Sequence, residues 1–309
     1  MENIISINNI SKSYGDVKAL DDISIEIKNN VIFGLVGPDG AGKTTLIRIL
    51  CGLLKADSGN VKILGLDLSE GINKIKNDIG YLSQKFSLYT DLSVDENIEF
   101  IADIHGLKDF KGRREELLQF TRLTKFRNFL AGKLSGGMKQ KLALACTLIY
   151  RPKIIFLDEP TTGVDPVSRR EFWIILSNLL KEDITIIIST PYMDEAERFN
   201  ELALLDNGKL LTVNTPNKIK SMMKEVILEI VCSPIREAYK ILKEKTQFEI
   251  QMFGDRLNVA IDSPEENTGG IRKLLEENNI EIIDLRKISP SLENAYIHLI
   301  KENYEKTGL

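Results

Sequence analysis

Hydrophobic and polar residues alternate in different ways along the 309-residue chain. Residues 4–7 and 22–27 alternate with a period of two, which predicts half-buried antiparallel strands. Residues 31–36, 154–157 and 184–188 are continuous apolar runs, which are typical of buried parallel strands. Segments with helical spacing separate these runs. Strands that alternate with helices predict an α/β fold with a mainly parallel, doubly wound sheet, beside an antiparallel β subdomain.

The pattern changes beyond residue 216, where a second kind of domain is predicted. Three helical patterns accompany four strand-like segments there, and these segments are 226–232, 248–253, 257–261 and 280–285. We therefore expect one domain over residues 1–216 and a small α+β domain over residues 217–309.

A helical subdomain is predicted inside the first domain, over about residues 86–150. Ser93 and Glu96 have the spacing of a capping box at a helix start, and Gly106 is a fitting stop. A second helical stretch covers residues 139–150.

A glycine-rich loop joins the apolar run at 31–36 to the helical pattern at 46–50. In such a loop the backbone N–H groups turn inward and cradle phosphate oxygens. The alternative is a purely structural glycine turn, but the strand–loop–helix context favours phosphate binding. The candidate binding residues are Gly37, Pro38, Asp39, Gly40, Ala41, Gly42, Lys43, Thr44 and Thr45.

Three side chains of this loop have distinct predicted tasks. Lys43 can reach the β- and γ-phosphates, and the hydroxyl of Thr44 can bind Mg²⁺. The hydroxyl of Thr45 is an additional donor to phosphate.

Acidic and amide side chains follow two other predicted strands. Asp158 and Glu159 come directly after the apolar run at 154–157, at the carboxyl end where ligands gather in open α/β sheets. Asp158 can hold Mg²⁺ through water, and Glu159 can orient the water that attacks the γ-phosphate. Gln84 follows a short strand at 79–82 and can contact Mg²⁺ or that water. A helix-capping acid pair and a surface glutamine are the alternatives.

Two further features are weaker evidence for nucleotide binding when each is taken alone. Ser135, Gly136 and Gly137 precede the helical stretch at 139–150, which is the arrangement of a second anion-binding helix start. Tyr14 lies in a predicted turn and can stack on an adenine ring or simply pack.

Composition narrows the function classes. The formal net charge is −4, so no nucleic-acid partner is indicated. The isolated cysteines Cys51, Cys146 and Cys232 lack metal-ligand spacing and are expected to be buried, reduced thiols in a cytosolic setting.

No signal peptide is apparent, and no apolar run approaches the ~18 residues that span a bilayer. Any membrane function is therefore expected at the surface and through a partner.

Together, these motifs resemble the ATP-binding cassette (ABC) family of transporter ATPases over residues 1–216. By this resemblance, residues 37–45 match the Walker A loop and residues 134–138 match the signature sequence. Residues 154–158 match Walker B, and Asp165 matches the D-loop aspartate.

The resemblance implies a P-loop NTPase-type fold that binds ATP and Mg²⁺. It assigns catalysis to Glu159, Gln84 and Lys43, with Gln84 as the Q-loop glutamine. It assigns the metal to Thr44, Gln84 and Asp158.

The resemblance also implies partners. In this family two nucleotide-binding domains face each other, so that Ser135, Gly136 and Gly137 of one serve the nucleotide held by the other, while Tyr14 stacks on adenine. Closure of the pair drives an integral membrane permease, which docks near the segment after Gln84. The expected location is therefore the cytoplasmic face of the membrane, peripherally bound. The second nucleotide-binding domain can be another copy of this chain or a different chain.

Two positions depart from the family pattern. The family carries a histidine after the strand that follows Walker B, and Pro191 stands at that position. Proline has neither an imidazole nor an N–H group. Asp39 adds negative charge where asparagine or serine is commoner. We therefore expect slow hydrolysis at this chain's own Walker A loop.

Three functions remain to be weighed. The form of the C-terminal domain resembles exporters of drugs, lipids or polymers, so the leading expectation is the ATPase subunit of an exporter. The alternative is a regulatory nucleotide-binding subunit, paired in a heterodimer with an active domain. A cassette ATPase acting on ribosomes or DNA is disfavoured by the negative charge and by the lack of a second cassette.

Overall fold

The computed structural model describes residues 3–84 and 88–307. The chain divides into two compact units, Met1–Pro216 and Asn217–Leu309. In the described ranges, no helix combines the length and the apolar character that crossing a membrane requires.

The first unit consists of two sheets and a set of helices. Its described strands are β1 (Asn3–Tyr14), β2 (Val17–Lys28), β3 (Ile32–Val36), β4 (Ser58–Ile63), β5 (Leu66–Asp67), β6 (Ile79–Leu82), β7 (Ile154–Asp158), β8 (Thr185–Thr190), β9 (Glu201–Asp206) and β10 (Lys209–Asn214). Its described α-helices are α1 (Lys43–Leu50), α2 (Leu68–Ile75), α3 (Val94–Ile104), α4 (Lys111–Phe120), α5 (Gly136–Leu148), α6 (Pro166–Leu179) and α7 (Met193–Ala196). A further helix, α8 (Pro216–Lys220), begins at the last residue of this unit and continues into the second.

The central sheet has the strand order β10-β9-β3-β8-β7-β6. From β9 to β6 all neighbouring strands are parallel, and only β10 is antiparallel, as the hairpin partner of β9. Every residue of β3, β7 and β8 is buried, which explains the continuous apolar run that each of them contains. Because these strands are parallel, their carboxyl ends lie at one edge of the sheet, where the site is built.

The second sheet is antiparallel, with the order β2-β1-β4-β5. Its buried isoleucines join α1 and the central sheet in one hydrophobic core. Helices α3, α4 and α5 lie between β6 and β7 in the chain and form the predicted helical region. The parallel sheet, the antiparallel sheet and the helical region confirm the predicted fold class.

The predicted capping box of α3 is present. The N–H of Glu96 donates to Ser93 Oγ at 3.2 Å, and the N–H of Ser93 donates to Glu96 Oε2 at 2.7 Å. Other boundaries differ from the prediction. Strand β1 continues to Tyr14, so the turn falls on residues 15–16, and α5 begins at Gly136 rather than near residue 139.

The second unit is the predicted small α+β fold. Its elements are β11 (Val226–Ser233), α9 (Ile235–Lys245), β12 (Glu249–Phe253), β13 (Arg256–Ile261), α10 (Pro264–Glu277), β14 (Glu281–Ile288) and α11 (Leu292–Thr307). The sheet is antiparallel with the order β12-β13-β11-β14, which is the topology of a split βαβ fold. Helices α9 and α10 contribute to one apolar core with the strands.

Candidate functional site

A pocket of about 550 Å³ lies beside the glycine-rich loop, and this volume falls within the range of small-molecule sites. Most of the residues predicted for the site line it. These are Tyr14, Asp39, Gly40, Ala41, Gly42, Lys43, Thr44, Thr45, Gln84 and Glu159. The lining is completed by Ala19, Thr162, Pro191 and Tyr192.

The loop owes its shape to glycine at the start of α1. Gly42 is the N-cap residue and has a φ of 98°, in the left-handed region that favours glycine. A Cβ atom at this position would lie 2.5 Å from the carbonyl oxygen of Ala19. The loop therefore passes close to β2 and leads directly into the N-terminus of α1, where unpaired N–H groups favour an anion.

Lys43 lies at the base of the pocket and is 4% exposed. Its Nζ donates to the carbonyl oxygens of Gly37 at 2.8 Å and Pro38 at 2.9 Å. The same ammonium group forms an ion pair with Glu159, whose Oε1 lies 3.4 Å away. The lysine is thus held by its own loop, with its charge directed at the carboxylate across the pocket.

Thr44, which lines the pocket, forms an oxygen-rich pair with Asp158. The Thr44 hydroxyl donates to Asp158 Oδ1 at 3.0 Å, and the Ser189 hydroxyl donates to the same atom at 2.6 Å. Burial, followed by the charge of Asp158, raises the pKa of the Cys51 thiol, which therefore stays protonated. Hydroxyl and carboxylate oxygens are the ligands that Mg²⁺ prefers, so the donor set at Thr44 and Asp158 fits this ion.

Glu159 points into the pocket from a strained backbone conformation. Its φ is 48°, a value that residues other than glycine rarely adopt and that is common at functional sites. Gln84 Nε2 donates to Glu159 Oε2 at 2.9 Å, and Thr162 Oγ1 donates to the same oxygen at 3.4 Å. Its backbone N–H donates to Ser189 Oγ at 2.9 Å. The carboxylate is therefore oriented by Gln84 and Thr162, which follow β6 and β7, while Ser189 of β8 fixes the backbone of Glu159.

Gln84 lies two residues beyond β6, which ends at Leu82. The segment that follows it, where the resemblance places permease docking, begins with residues 85–87, which lie outside the described residues.

Tyr14 forms the outer wall of the pocket and is 49% exposed. It is the last residue of β1, and its ring lies 5.9 Å from Lys12 Nζ. An exposed aromatic ring at a pocket wall is able to stack on a flat heterocycle.

Ser135, Gly136 and Gly137 lie elsewhere, at the start of α5, and do not line the pocket. Ser135 Oγ caps the helix by accepting from the N–H of Met138 at 3.3 Å. The two glycines differ, because a Cβ at Gly136 would meet open space and a Cβ at Gly137 would lie 2.4 Å from Ser168 on α6. Gly136 is thus accessible, whereas Gly137 permits close packing of the two helices.

Asp165 caps the start of α6. Its Oδ1 accepts from the N–H groups of Val167 at 3.1 Å and Ser168 at 3.0 Å. The backbone hydrogen bond from Ser168 is the main reason why the pKa of Asp165 is below its usual value. This residue does not line the pocket of its own chain.

Sequence reasoning did not assign a role to Ser189, Thr162 or Tyr192. Each of them lies just before or after the carboxyl end of β7 or β8, at the edge where Asp158 and Glu159 stand. Because the carboxyl ends of parallel strands share an edge, polar residues at the end of β8 could have been included on that ground.

The fold and the site define a class of protein. A parallel sheet, a glycine-rich loop before a helix, a buried lysine and an acidic pair at a strand end are the features of a P-loop nucleotide-binding protein.

Comparison with known proteins identifies the family. A family model described as "ABC transporter" matches residues 20–162. Daunorubicin resistance ATP-binding protein DrrA3 of Streptomyces coeruleorubidus is 31% identical over 303 residues, a match that covers 96% of this chain and 95% of that protein. The chain therefore belongs to the ABC transporter family, as an ATP-binding protein.

Two further matches describe a longer relative and a solved structure. Probable multidrug ABC transporter ATP-binding protein YbhF of Escherichia coli is 40% identical over 223 residues, or 71% of this chain, and this match spans only 38% of YbhF. The dimeric post-hydrolysis state of the ATP-binding cassette MJ0796, bound to ADP and Pi, has a TM-score of 0.63 and 27% identity. This match covers 68% of the chain and 98% of that structure.

Proposed function

We propose that this chain is the ATP-hydrolysing subunit of an ABC exporter and that it drives a separate integral membrane permease from the cytoplasmic face of the membrane. The observation that carries the proposal is the convergence of Lys43, Thr44, Gln84, Asp158 and Glu159 around one pocket. Family membership adds the class of machine that uses such a pocket. We assign the cassette to residues 1–216 and an accessory domain to residues 217–309.

The residues of the pocket have different roles in ATP binding and hydrolysis. The loop N–H groups and Lys43 hold the phosphates of ATP, and Tyr14 stacks on the adenine. Thr44, Asp158 and Gln84 hold Mg²⁺, which when bound neutralises charge on the β- and γ-phosphates. Glu159 orients the attacking water and accepts its proton.

Lys43 is released in part when nucleotide binds. In this structure its ammonium group donates to two carbonyls of its own loop and lies 3.4 Å from Glu159 Oε1. Phosphate oxygens compete for this cation, so the carboxylate of Glu159 becomes free to accept a proton from water.

The second half of the catalytic machinery comes from a partner. Ser135, Gly136 and Gly137 do not line this chain's own pocket, and Gly136 is open to its surroundings. We propose that this helix start contacts the nucleotide of a facing nucleotide-binding domain. The dimeric cassette MJ0796 supports a paired arrangement in a similar fold.

The transported substrates belong to the permease and not to this chain. Relatives are named for multidrug transport and daunorubicin resistance, so we extend the class of exported drugs to this transporter. No nucleic-acid partner is proposed, because the net charge is −4.

Pro191 sets the expected rate. It lines the pocket beside Tyr192, where the family carries a histidine, and it offers no hydrogen-bonding side chain. Loss of a positioning or proton-transfer group commonly costs ~10²–10⁴ in rate. We therefore propose slow hydrolysis at this pocket, and a heterodimer with one strong and one weak site.

The same observation favours a second candidate function. With hydrolysis slowed by Pro191, the chain can act as a regulatory subunit that binds ATP while a partner domain hydrolyses it. Intact Lys43, Asp158 and Glu159 argue against a dead site.

The test is ATP turnover by the complex purified from membranes, with Glu159→Gln, Pro191→His and Lys43→Ala variants. An ATPase subunit with a slow site loses, in Glu159→Gln, the share of turnover that its own pocket contributes, and it gains turnover in Pro191→His. A regulatory subunit shows unchanged turnover in Glu159→Gln, while Lys43→Ala abolishes ATP binding at this pocket. Absence of ATP binding in the wild-type complex would refute both functions.

A further inference from the structure

A buried carboxylate lies outside the site described above. Glu195, in the short helix α7, is 1% exposed, although it carries an ionisable group and follows Pro191 by only four residues. Removing a carboxylate from water is costly unless hydrogen bonds and opposite charge compensate for the loss of hydration. An apolar side chain would fill the same space without that cost, so the partners of Glu195 need an explanation.

Both carboxylate oxygens of Glu195 accept hydrogen bonds from threonines. Thr161 Oγ1 donates to Oε1 at 2.6 Å, and Thr190 Oγ1 donates to Oε2 at 2.8 Å. Both threonines are fully buried. The N–H of Tyr192 in turn donates to Thr190 Oγ1 at 3.1 Å. We name the connected set Thr161, Glu195, Thr190 and Tyr192 the Glu195 bridge.

The bridge joins two loops that line the nucleotide pocket. Thr161 follows Glu159 by two residues and precedes the lining residue Thr162, whereas Thr190 directly precedes the lining residue Pro191. Ser189 already joins the ends of β7 and β8 through Asp158 and Glu159. The bridge adds a second connection beyond the strand ends, where the backbone of both loops leaves the sheet.

Arg169 of α6 supplies the opposite charge. Its Nε lies 3.6 Å from Glu195 Oε1, and its guanidinium lies 4.9 Å from the centre of the Tyr192 ring. Helix α6 begins at Pro166, directly after Asp165. The bridge is therefore held by α6 as well as by the two loops.

Pro191 makes this bridge important for the segment that follows β8. Because proline lacks an N–H group, residue 191 contributes no backbone donor, and the fixed points of this segment are Thr190 and Tyr192. Both are bonded within the bridge.

We propose that Glu195 is a positioning residue of the ATPase site, which holds Pro191 and Tyr192 at a fixed distance from Glu159. This inference rests on the proposed function, because it assigns the pocket to ATP hydrolysis. Glu195 does not touch the pocket itself and acts through the two threonines. A misplacement of about 1 Å in a catalytic geometry can lower the rate by ~10²-fold, so a remote carboxylate is able to govern turnover.

The experiment measures ATP turnover and ATP affinity for the complete transporter complex. Thr161→Val and Thr190→Val remove one bridge hydroxyl each with little change in shape, whereas Thr161→Ser and Thr190→Ser retain the hydroxyl. Glu195→Ala removes both carboxylate hydrogen bonds of the bridge. Glu197→Ala makes the same change at an exposed glutamate next to the same helix and serves as the matched control.

We expect a split between turnover and affinity. In the part of the turnover that Lys43→Ala abolishes, each valine variant should lose about 10-fold in kcat and Glu195→Ala about 100-fold. The KM should stay within ~3-fold, and the serine variants should keep wild-type turnover. Thr161→Val added to Glu195→Ala should cause no further loss, because both act through one network. Valine variants with the kcat of the serine variants would overturn the proposal.

Hydrogen exchange at the Tyr192 amide provides a readout that does not depend on catalysis. Exchange should be faster in Thr190→Val than in the wild type, and unchanged in Thr190→Ser. A wild-type complex with no more turnover than Lys43→Ala would refute the proposed ATPase function alone. The exchange rate of the Tyr192 amide would then test the Glu195 bridge by itself. Equal exchange rates in Thr190→Val and Thr190→Ser would refute the bridge. The valine variants also decide the matter if Glu195→Ala does not fold.

Discussion

Gly137 offers a sharp test of how α5 is placed. A Cβ atom added at Gly137 would lie 2.4 Å from both Cβ and Oγ of Ser168, whereas ordinary contacts begin at 3.4 Å. The change Gly137→Ala therefore requires α5 and α6 to move apart by about 1 Å. Lys141 of α5 forms an ion pair with Glu171 of α6, and this pair resists the separation.

The expected cost follows from that overlap. Forcing an extra methyl group into a packed interface costs about 1–3 kcal/mol in the free energy of unfolding. At Gly136 a Cβ would meet nothing within 4 Å, so Gly136→Ala should be neutral or stabilise by about 0.4–1 kcal/mol through the unfolded state. The two alanine substitutions should thus differ clearly in the free energy of unfolding, although the glycines are neighbours in one motif.

Urea unfolding of the full chain measures the difference. The chain has a single tryptophan, Trp173, which is buried on α6, so its fluorescence reports on the unit that contains both helices. With a slope of roughly 2 kcal/mol per molar urea, Gly137→Ala should lower the midpoint by about 0.5–1.5 M. The double variant Gly137→Ala, Ser168→Gly removes both clashing atoms and should recover most of the loss. Equal midpoints for the two alanine variants would refute the packing argument.

Three further changes have defined outcomes. Ser189→Ala removes a fully buried hydroxyl bonded to Asp158 and Glu159, so it should cost about 1–3 kcal/mol in urea unfolding and lower ATP turnover. Burial lowers the pKa of His105, so its contribution to stability is complete above pH 6.5 and is lost on acidification; His105→Phe should reduce the drop in urea midpoint between pH 7.5 and 5.5. Burial raises the pKa of Glu229, but hydrogen bonds from two arginines outweigh burial and lower it below 4.5. Glu229→Gln should therefore destabilise the C-terminal unit near neutral pH and matter progressively less as the pH falls below 4.5, as measured by proteolysis of that unit.

The main sheet was predictable because its strands are buried on both faces. Strands β3, β7 and β8 each contain a continuous apolar run, and such runs of four to eight residues are typical of buried strands. The full length of β1 was not predicted, because its pairing with β2 shifts register between Ile7 and Ile10, and Asn9 has a φ of 51°. Such an irregularity breaks the alternation of apolar and polar residues.

Helix α2 was missed for a different reason. Leu68, Ile72 and Ile75 have the spacing of a helical apolar stripe and pack against the core, but the stripe covers only eight residues, which is too short for periodicity alone to predict a helix. Its start is determined by Asp67, whose side chain accepts from the N–H of Ser69 at 2.9 Å. A single capping residue is too common in loops to predict a helix by itself.

The site was predictable where chemistry and chain order coincide. The residues from Gly37 to Thr45 are consecutive, and Asp158 and Glu159 end a strand, so spacing alone brings out their roles. The bonds of Glu195 to Thr161 and Thr190 join residues 34 and 5 positions apart. Before folding, those threonines and that glutamate look the same as many solvated ones, and only burial reveals what they hold. Pro191 shows the converse. Its replacement of the family's histidine is visible in the sequence, but the contacts that hold the segment around Pro191 are visible only in the structure.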